Sequence, residues 1–388
     1  SNIIFGVNMS FADIFLVFLL CYLILQKKLI IPLFPLLAFF LISILVLVTS
    51  VFFVPAYLDV NTNVSQNIKG YLKIMALFLF FVMGYNLTKL QLLPLVVKTY
   101  SFFAVFIGLI GILFYAFNIS MWSNILFYAG TRYTGLMNDP NYFAILQLTA
   151  LVYFIRKKDV WQPIRFVSII ILILGVIVSS SKTGMLVLGI YGGFRGLIYL
   201  INSIKTKKRV TYALSLFIII FLSMLNLNEI IDVILKYIVD YIPTFARVEN
   251  LFRDFDGAIT EGGSGRGEAW ETALKLVALS PFLGIGLGNY TLLGSQFYNV
   301  ESIAHNTYLQ FLVEYGIPVT FSFYFFILFL VMKVLKFNNE NVILTQILLD
   351  ILFVLMLGSF AISLNNARIF WIILGSLFYF LSLKVKNK

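Results

Sequence analysis

The sequence predicts an all-α protein that crosses a membrane many times, a polytopic transmembrane helical bundle. Hydrophobic residues make up 61% of its 388 residues and charged residues only 12%, with a mean hydropathy of +0.98. A soluble domain carries about 25% charged residues, so this composition excludes the soluble class. Apolar runs of about 20 residues, each long enough to cross roughly 30 Å of hydrocarbon, recur along the chain and predict transmembrane helices.

Hydropathy divides the chain into about eleven predicted spans. Two of them, near 29–54 and 304–332, are longer than a straight crossing needs and could tilt or break. The predicted spans lie near residues 11–26, 29–54, 71–88, 99–118, 141–155, 164–180, 184–203, 210–226, 304–332, 342–362 and 367–384.

Short clusters of basic residues lie between the spans, and acidic residues are concentrated on the other side. The positive-inside rule assigns the basic clusters to the cytoplasm, which puts the C-terminus in the cytoplasm and Ser1 outside. A start outside the membrane predicts a further span ahead of residue 1, or about twelve spans in the native chain. The basic clusters lie at 27–28, 156–158, 205–209, 333–336 and 384–388.

One long polar segment, residues 227–304, is inserted into a single transmembrane domain that covers residues 1–388. We expect this segment to be a structured extracytoplasmic loop, because apolar residues recur at helical spacing over 229–242. A second helix is predicted over 268–279, ending ahead of Pro281.

Composition also limits the classes of ligand. The net charge of +11 comes from the clusters between spans and not from a basic groove with interleaved aromatic residues, so we expect no nucleic-acid partner. One cysteine and one histidine provide no ligand set for zinc or iron. We therefore expect neither a metal nor another cofactor, and membrane lipids as neighbours.

The only histidine, His305, follows the long loop and is a candidate functional residue. It could be an inert polar group at the membrane interface, or a general base, since imidazole titrates near about pH 6.5. The adjacent Asn306 amide, and Glu314 on the helix that follows, favour the functional alternative because charge inside a membrane is costly.

Arg132 and Arg266 are candidate ligands for a charged substrate group. Either could be an ordinary surface arginine of an outside loop, but Arg266 lies near a predicted helix start, which favours an anion. A guanidinium binds phosphate oxygens through paired hydrogen bonds. Lys182 and Arg368 lie in two further outside turns. Two arginines and a histidine, without metal ligands, suit a diphosphate leaving group.

Two other features carry no functional assignment. The run Gly284–Gly288 is similar to a nucleotide-binding glycine motif, but no strand precedes it and it faces outward, so we reject that function. Asp350 lies within a predicted span and has no assigned partner.

Five motifs occur in an order that resembles the O-antigen polymerase/ligase superfamily. The resemblance extends from about Arg132 to Gly316, and each motif alone is short. The motifs are Arg132 with Gly135, Asn138–Asn141 and Ala144; Ser180–Gly184; Arg266–Trp270; Pro281–Gly286; and His305–Asn306 with Glu314–Gly316.

The resemblance implies a GT-C-like membrane glycosyltransferase that takes an undecaprenyl-pyrophosphate-linked glycan as donor and needs no metal. By the same resemblance, Arg132 and Arg266 hold the donor diphosphate, and His305 accepts the proton of the attacking sugar hydroxyl or orients that group. The residues assigned to substrate binding are Asn138, Asn141, Lys182, Asn306, Glu314 and Arg368.

The sequence departs from the superfamily at three places. The superfamily often has arginine at the position of Lys182. Here the compact charge of a lysine ammonium replaces the forked hydrogen-bond donors of a guanidinium. Val319 stands where ligases tend to have glycine, threonine or tyrosine, which disfavours a lipid A-core ligase. Some polymerases have repeats in which an arginine is followed by ten residues and then a glycine. Neither Arg132 nor Arg266 is followed by a glycine at that spacing.

The sequence therefore predicts a polymerase of surface polysaccharide repeat units (O-antigen or capsule) in the bacterial cytoplasmic membrane, with its active site on the extracytoplasmic face. One alternative is a ligase that transfers the finished glycan to lipid A-core or a protein. A remote alternative is a transporter of lipid-linked glycans, which would show inverted repeats and polar groups at mid-membrane. The expected partners are a lipid-linked donor and acceptor, with a flippase and a chain-length regulator as further candidates.

Overall fold

The computed structural model describes residues 2–4, 7–117, 119, 122–204, 237–246, 248, 266–336 and 342–386. Helices dominate this part of the chain. They are α1 (Phe11–Leu25), α2 (Leu33–Val48), α3 (Val54–Leu58), α4 (Val64–Lys89), α5 (Leu93–Ala116), α6 (Ser123–Leu126), α7 (Pro140–Arg156), α8 (Gln162–Val178), α9 (Lys182–Ile204), α10 (Arg266–Leu279), α11 (Tyr290–Tyr298), α12 (Thr307–Leu335), α13 (Val342–Gly358) and α14 (Arg368–Lys386).

Helical segments overlap every predicted span except 210–226, which lies outside the described residues. Several of the predicted spans correspond to apolar helices of fewer than 18 residues. Within the described residues, five helical segments are long and apolar enough to cross a membrane: Leu33–Leu58, Val64–Lys89, Leu93–Ala116, Lys182–Ile201 and Thr307–Leu335.

The described part of the long loop includes the helices α10 and α11. α10 confirms the helix predicted over 268–279, whereas α11 was not predicted. The helix predicted over 229–242 is described only at its end, where residues 237–241 are helical and precede a 3-10 turn at Pro243–Phe245. The earlier residues of that predicted helix lie outside the described part of the chain.

Two short antiparallel strand pairs accompany the helices: β1 (Asn2–Ile4) with β2 (Val7–Met9), and β3 (Phe127–Tyr128) with β4 (Arg132–Tyr133). Strands of two or three residues are too short to leave a periodic pattern in the sequence, which is why we did not predict them. They leave the helical class unchanged.

Contacts divide the chain into two compact units. Unit 1 comprises Ser1–Ser101, Ile155–Lys157 and Ile259–Lys388, and unit 2 comprises Phe102–Phe154 and Lys158–Ala258.

In unit 1, helices α4 and α14 pack against each other over much of their length. Glycines allow the close approach: a Cβ on Gly84 would overlap the carbonyl group of Ile372, and one on Gly375 would overlap that of Phe81. The Ser376 hydroxyl donates to the Gly84 carbonyl at 3.1 Å. Small residues let helix backbones approach in a membrane, where lipid gives no hydrophobic drive for association.

Two arginines of unit 1 form bidentate ion pairs. Nε and Nη2 of Arg156 donate to the Asp350 carboxylate at 2.7 and 2.6 Å, and Nη1 donates to Gln346 at 2.9 Å. Arg368 donates to the Asp13 carboxylate at 2.7 and 2.5 Å. A guanidinium fork matches both oxygens of a carboxylate, so each pair is directional as well as neutral. The carboxylate of Asp350, unassigned in the sequence, is thus neutralised by Arg156.

In unit 2, α7 is buried along almost its whole length. The Gln147 amide on this helix donates to the Ala104 carbonyl at 3.1 Å. A Cβ on Gly108 of α5 would lie 2.9 Å from the amide oxygen of Gln147, and one on Gly175 of α8 would lie 3.1 Å from it. Glycines on two neighbouring helices therefore make room for one buried amide.

Large apolar side chains are exposed on many of these helices. Such a surface is unfavourable in water but natural for helices that face lipid. Examples with more than half of the side chain exposed are Phe15, Phe18, Leu41, Phe103, Phe166 and Phe321.

Gly84→Ala should destabilise unit 1, because the added methyl group overlaps the backbone of α14. We expect the melting temperature of the purified protein in detergent to fall by an amount equivalent to about 1–3 kcal/mol. Gly192→Ala on α9 is the control, since no atom lies within 4 Å of its added Cβ. Alanine favours a helix over glycine by about 1 kcal/mol. Equal melting temperatures of the two variants would contradict the close packing of α4 on α14.

Candidate active site

Arg132 is the central residue of the candidate site in unit 2. It lies on β4, after a hairpin turn in which Ala129 and Gly130 have positive φ. The side chain is only 8% exposed. Its Nε and Nη2 donate to the carbonyl oxygens of Ser179 and Ser180, each at 3.2 Å. The residue predicted to bind substrate therefore also holds the turn that leads into α9.

Asn141 connects Arg132 to the same turn. Its Oδ1 accepts hydrogen bonds from Nη2 of Arg132 at 3.3 Å and from the Ser181 hydroxyl at 2.8 Å. Asp139 caps the start of α7 by accepting the N–H groups of Asn141 at 2.6 Å and of the next residue at 2.9 Å. Asn138, just before this cap, is exposed. Asn141 thus lies beside Arg132, and the roles of Asn138 and Asn141 in substrate binding stay predictions.

The N-terminus of α9 follows directly after the turn that Arg132 holds. The Ser181 hydroxyl caps this helix by accepting the Gly184 N–H at 3.0 Å. Lys182 is the first helical residue and is half-buried. The Thr183 hydroxyl is buried and has no hydrogen-bond partner in the described part of the chain. A helix start beside a lysine, with an unsatisfied hydroxyl, is suited to an anion.

Arg266 is the candidate ligand in unit 1, and it is the first residue of α10. The sequence placed it near a helix start, and that position is confirmed. α10 packs against α11 and α12, which fixes the direction of its N-terminus. The buried core of this packing includes Ala273, Leu276, Ile285, Leu293 and Val313.

His305 is half-buried and has a left-handed backbone conformation with φ of +46°. The next residue, Asn306, caps α12: its Oδ1 accepts the N–H groups of Tyr308 at 2.9 Å and Leu309 at 3.1 Å. The amide oxygen of Asn306 is therefore used at the helix start, and its role in substrate binding stays a prediction.

Glu314 is buried in α12, on the same helix that His305 precedes. Its Oε1 accepts a hydrogen bond from Nε2 of Gln310 at 2.9 Å. Burial raises the pKa of Tyr290, and the charge of Glu314 raises it further. The phenol of Tyr290 therefore stays protonated and donates to the Ala269 carbonyl at 3.3 Å. Glu314 belongs to an enclosed polar group, and its contact with substrate stays a prediction.

Helix α12 is broken at Gly316, which has φ of +75° and ψ of 171°. Two residues later, Pro318 has no N–H group to donate to the Glu314 carbonyl. The Ile317 N–H, which would continue the helix, donates instead to the Pro281 carbonyl at 2.8 Å. Two carbonyl groups at the end of the first half of α12 are thus left without helical partners.

The run Gly284–Gly288 supplies the missing partners. The Gly286 N–H donates to the Glu314 carbonyl at 3.1 Å, and the Ile285 N–H donates to the Val313 carbonyl at 2.8 Å. The three glycines of the run have φ between +69° and +78°, a region that glycine adopts without steric cost. We call this run the glycine loop.

The glycine loop also contacts the π-helical segment Thr49–Phe53 between α2 and α3. The Leu287 N–H donates to the Ser50 hydroxyl at 2.8 Å, and a Cβ on Gly286 would overlap that hydroxyl. Both of the long predicted spans are therefore irregular where the loop meets them. The sequence left open whether these long spans tilt or break, and α12 is broken at its non-helical residue.

Arg368 is the first residue of α14, and its guanidinium is paired with Asp13. Its role in substrate binding stays a prediction. This pairing leaves no local pattern in the sequence, because 355 positions separate the two residues. The described residues contain no group of three or more His, Cys, Asp or Glu side chains that could hold a metal ion.

Residues 167–324 match the family model described as O-antigen ligase. This match supports the O-antigen polymerase/ligase superfamily. The resemblance drawn from the ordered motifs is thereby confirmed. The matched region contains Lys182, Arg266, His305 and Glu314, and it begins after Arg132. A search of curated proteins finds no match. Members of this superfamily are glycosyltransferase-like polymerases and ligases, which fits the apolar helices of a multi-pass membrane protein.

Gly286→Ala should destabilise the protein more than Gly130→Ala. Both glycines have φ of +71°, so both variants carry the same strain of a left-handed alanine. The added Cβ at position 286 also overlaps Ser50, whereas nothing lies within 4 Å of the one at position 130. We expect an additional loss of about 1–3 kcal/mol, measured as the difference between the two melting temperatures. Equal losses would show that the glycine loop is loosely packed.

Proposed function

We propose that this protein polymerises repeat units of a bacterial surface polysaccharide. It transfers a glycan from undecaprenyl pyrophosphate to a sugar hydroxyl of the next lipid-linked unit. The reaction takes place at the extracytoplasmic face of the cytoplasmic membrane, with the C-terminus in the cytoplasm. The confirmed superfamily supports the class of reaction, and the choice of polymerase is our inference.

The main support for a diphosphate-bearing donor is the start of α9. A helix N-terminus, the Lys182 ammonium and the buried Thr183 hydroxyl lie within two residues there. Each of these groups favours an anion, and together they suit phosphate oxygens. Arg132 binds the carbonyl groups of the preceding turn, so its proposed contribution is to shape the turn and to add positive charge.

Arg266 would act in the same way at a second helix start. Charge grows on the diphosphate as its bond to the sugar breaks, and fixed positive charge stabilises the transition state more than the ground state. A guanidinium at the start of α10 adds its charge to that of the helix dipole. The charge of Arg266 at this helix start would take over part of what a divalent metal does in enzymes whose leaving group is a metal-bound diphosphate.

His305 is the proposed general base. The oxygen of the acceptor sugar hydroxyl forms a bond to the anomeric carbon of the donor, and its proton passes to the imidazole. The bond between that carbon and the diphosphate breaks, and undecaprenyl pyrophosphate leaves with the electron pair. Asn138, Asn141, Asn306, Glu314 and Arg368 are retained as proposed substrate-binding residues.

A ligase is the second candidate. The matched family model is described as O-antigen ligase, and the same groups would serve transfer to lipid A-core or a protein hydroxyl. Val319 favours the polymerase, since ligases of the superfamily tend to have another residue type there. A broken helix such as α12 is also found in transporters, but here the break is filled by the glycine loop of the same chain.

Deleting the gene should leave surface glycans that consist of a single repeat unit on the final acceptor, visible as one band on a gel. The acceptor is still loaded because only chain extension is lost. Full-length chains that remain on the lipid carrier would instead identify a ligase. A normal ladder of chain lengths would contradict both functions.

The same gel tests the proposed catalytic residues when the deletion strain carries a plasmid copy of the gene with one substitution. We expect His305→Ala and Arg266→Ala to fail to restore long chains, since loss of a general base costs about 10²–10⁴-fold in rate. Lys275→Ala is the matched control for Arg266→Ala: it removes a positive charge from the same helix at an exposed position. Long chains in the His305→Ala and Arg266→Ala strains would show that the catalytic assignment is wrong.

A further inference from the structure

Thr307, the first residue of α12, is fastened to the turn that connects α13 to α14. Its hydroxyl donates to the Ile362 carbonyl at 2.7 Å and accepts the Leu364 N–H at 2.8 Å. Its own N–H donates to the Ser359 carbonyl at 2.8 Å. The residue is only 2% exposed. Three buried hydrogen bonds therefore fix Thr307 to a single neighbouring turn, which we call the 359–364 turn.

The hydroxyl of Thr307 is not needed to start the helix. Asn306 already caps α12 by accepting two N–H groups, so a helix would begin here without any side-chain oxygen at position 307. Both bonds of the Thr307 hydroxyl leave the helix and end on the 359–364 turn. These two bonds therefore determine where the helix start lies, and they are not needed for the helix to form.

His305 depends on that position because it lies two residues before Thr307. Its φ of +46° is in a region that residues other than glycine rarely occupy. Backbone in such a region persists only where the surrounding structure holds it, and it is common at active sites. Asn306 and Thr307 come directly after His305 in the chain. The helix cap formed by Asn306 and the hydrogen bonds of Thr307 therefore restrain the backbone of His305 in this conformation.

We propose that Thr307 is the positioning residue for His305. Its hydroxyl holds the start of α12 against the 359–364 turn and so sets where the imidazole meets the attacking sugar hydroxyl. Thr307 itself touches no substrate. The inference rests on the proposed function of His305 as general base and adds a residue on which that function depends.

Three variants separate positioning from general stability. Thr307→Val keeps the shape and the N–H bond but removes both hydroxyl bonds, so the buried Ile362 carbonyl and Leu364 N–H keep only the 3.1 Å hydrogen bond that they make to each other. Thr307→Ser keeps the hydroxyl. Thr320→Val is the matched control: Thr320 is on the same helix, is 3% exposed, and its hydroxyl has no hydrogen-bond partner among the described residues.

His305 is the only histidine of the chain, so its imidazole can be observed alone. Protein labelled with ¹³C,¹⁵N-histidine and purified with a histidine-free tag should give one set of ring signals. We expect Thr307→Val to move these signals and to lower the rate of transfer by about tenfold or more, because a small misplacement of a catalytic group is costly. Thr307→Ser and Thr320→Val should keep the ring signals and the rate of the wild type.

Unchanged ring signals and rate in Thr307→Val would overturn the inference, and so would equal changes in Thr320→Val. If Thr307→Val does not fold, Thr307→Ala replaces it with the same expected changes. Should His305→Ala retain full activity while Thr307→Val still moves the ring signals, the proposed base would be wrong and Thr307 would only position a histidine without that role.

Discussion

Pro318 has no backbone N–H, so the helical hydrogen bond to the Glu314 carbonyl is missing in the middle of α12. The contacts of the glycine loop in unit 1 depend on this missing bond. A broken helix in a membrane needs protein groups to satisfy its free carbonyls, because lipid offers none. The glycine loop provides them through Ile285 and Gly286, and only glycine fits where the loop approaches Glu314 and Ser50. The loop follows α10 directly, so the helix that begins with Arg266 is tied to the helix that His305 precedes.

The candidate chemistry is concentrated at helix starts. Lys182 begins α9, Arg266 begins α10, and His305 lies two residues ahead of α12. A helix start presents unpaired N–H groups and a positive dipole end, so it needs few further charges to suit a diphosphate. Capping by Ser181 and Asn306 fixes two of these starts. The proposed function thus depends on caps and turns as much as on the charged residues themselves.

The sequence predicted the helices well because hydrophobic runs and helix-start signals are local. It also placed Arg266 at a helix start. It missed the partners of Arg132 on the α9 turn, since backbone carbonyls exist at every position and leave no signal. Asp13 was missed because of its distance in sequence from Arg368. The glycine loop was recognised as a motif, but its purpose depends on a break elsewhere in the chain. The role proposed for Thr307 could not be predicted from the sequence, because it depends on contacts with the 359–364 turn that only the fold creates.

Amide hydrogen exchange of the glycine loop tests the central role of the broken helix most directly. If the N–H groups of Ile285 and Gly286 close the gap in α12, they should exchange as slowly as the amides of the flanking helical residues of α12. The comparison is made within one sample of the purified protein. Exchange of these two amides at the rate of an exposed loop, with α12 still protected, would contradict the account.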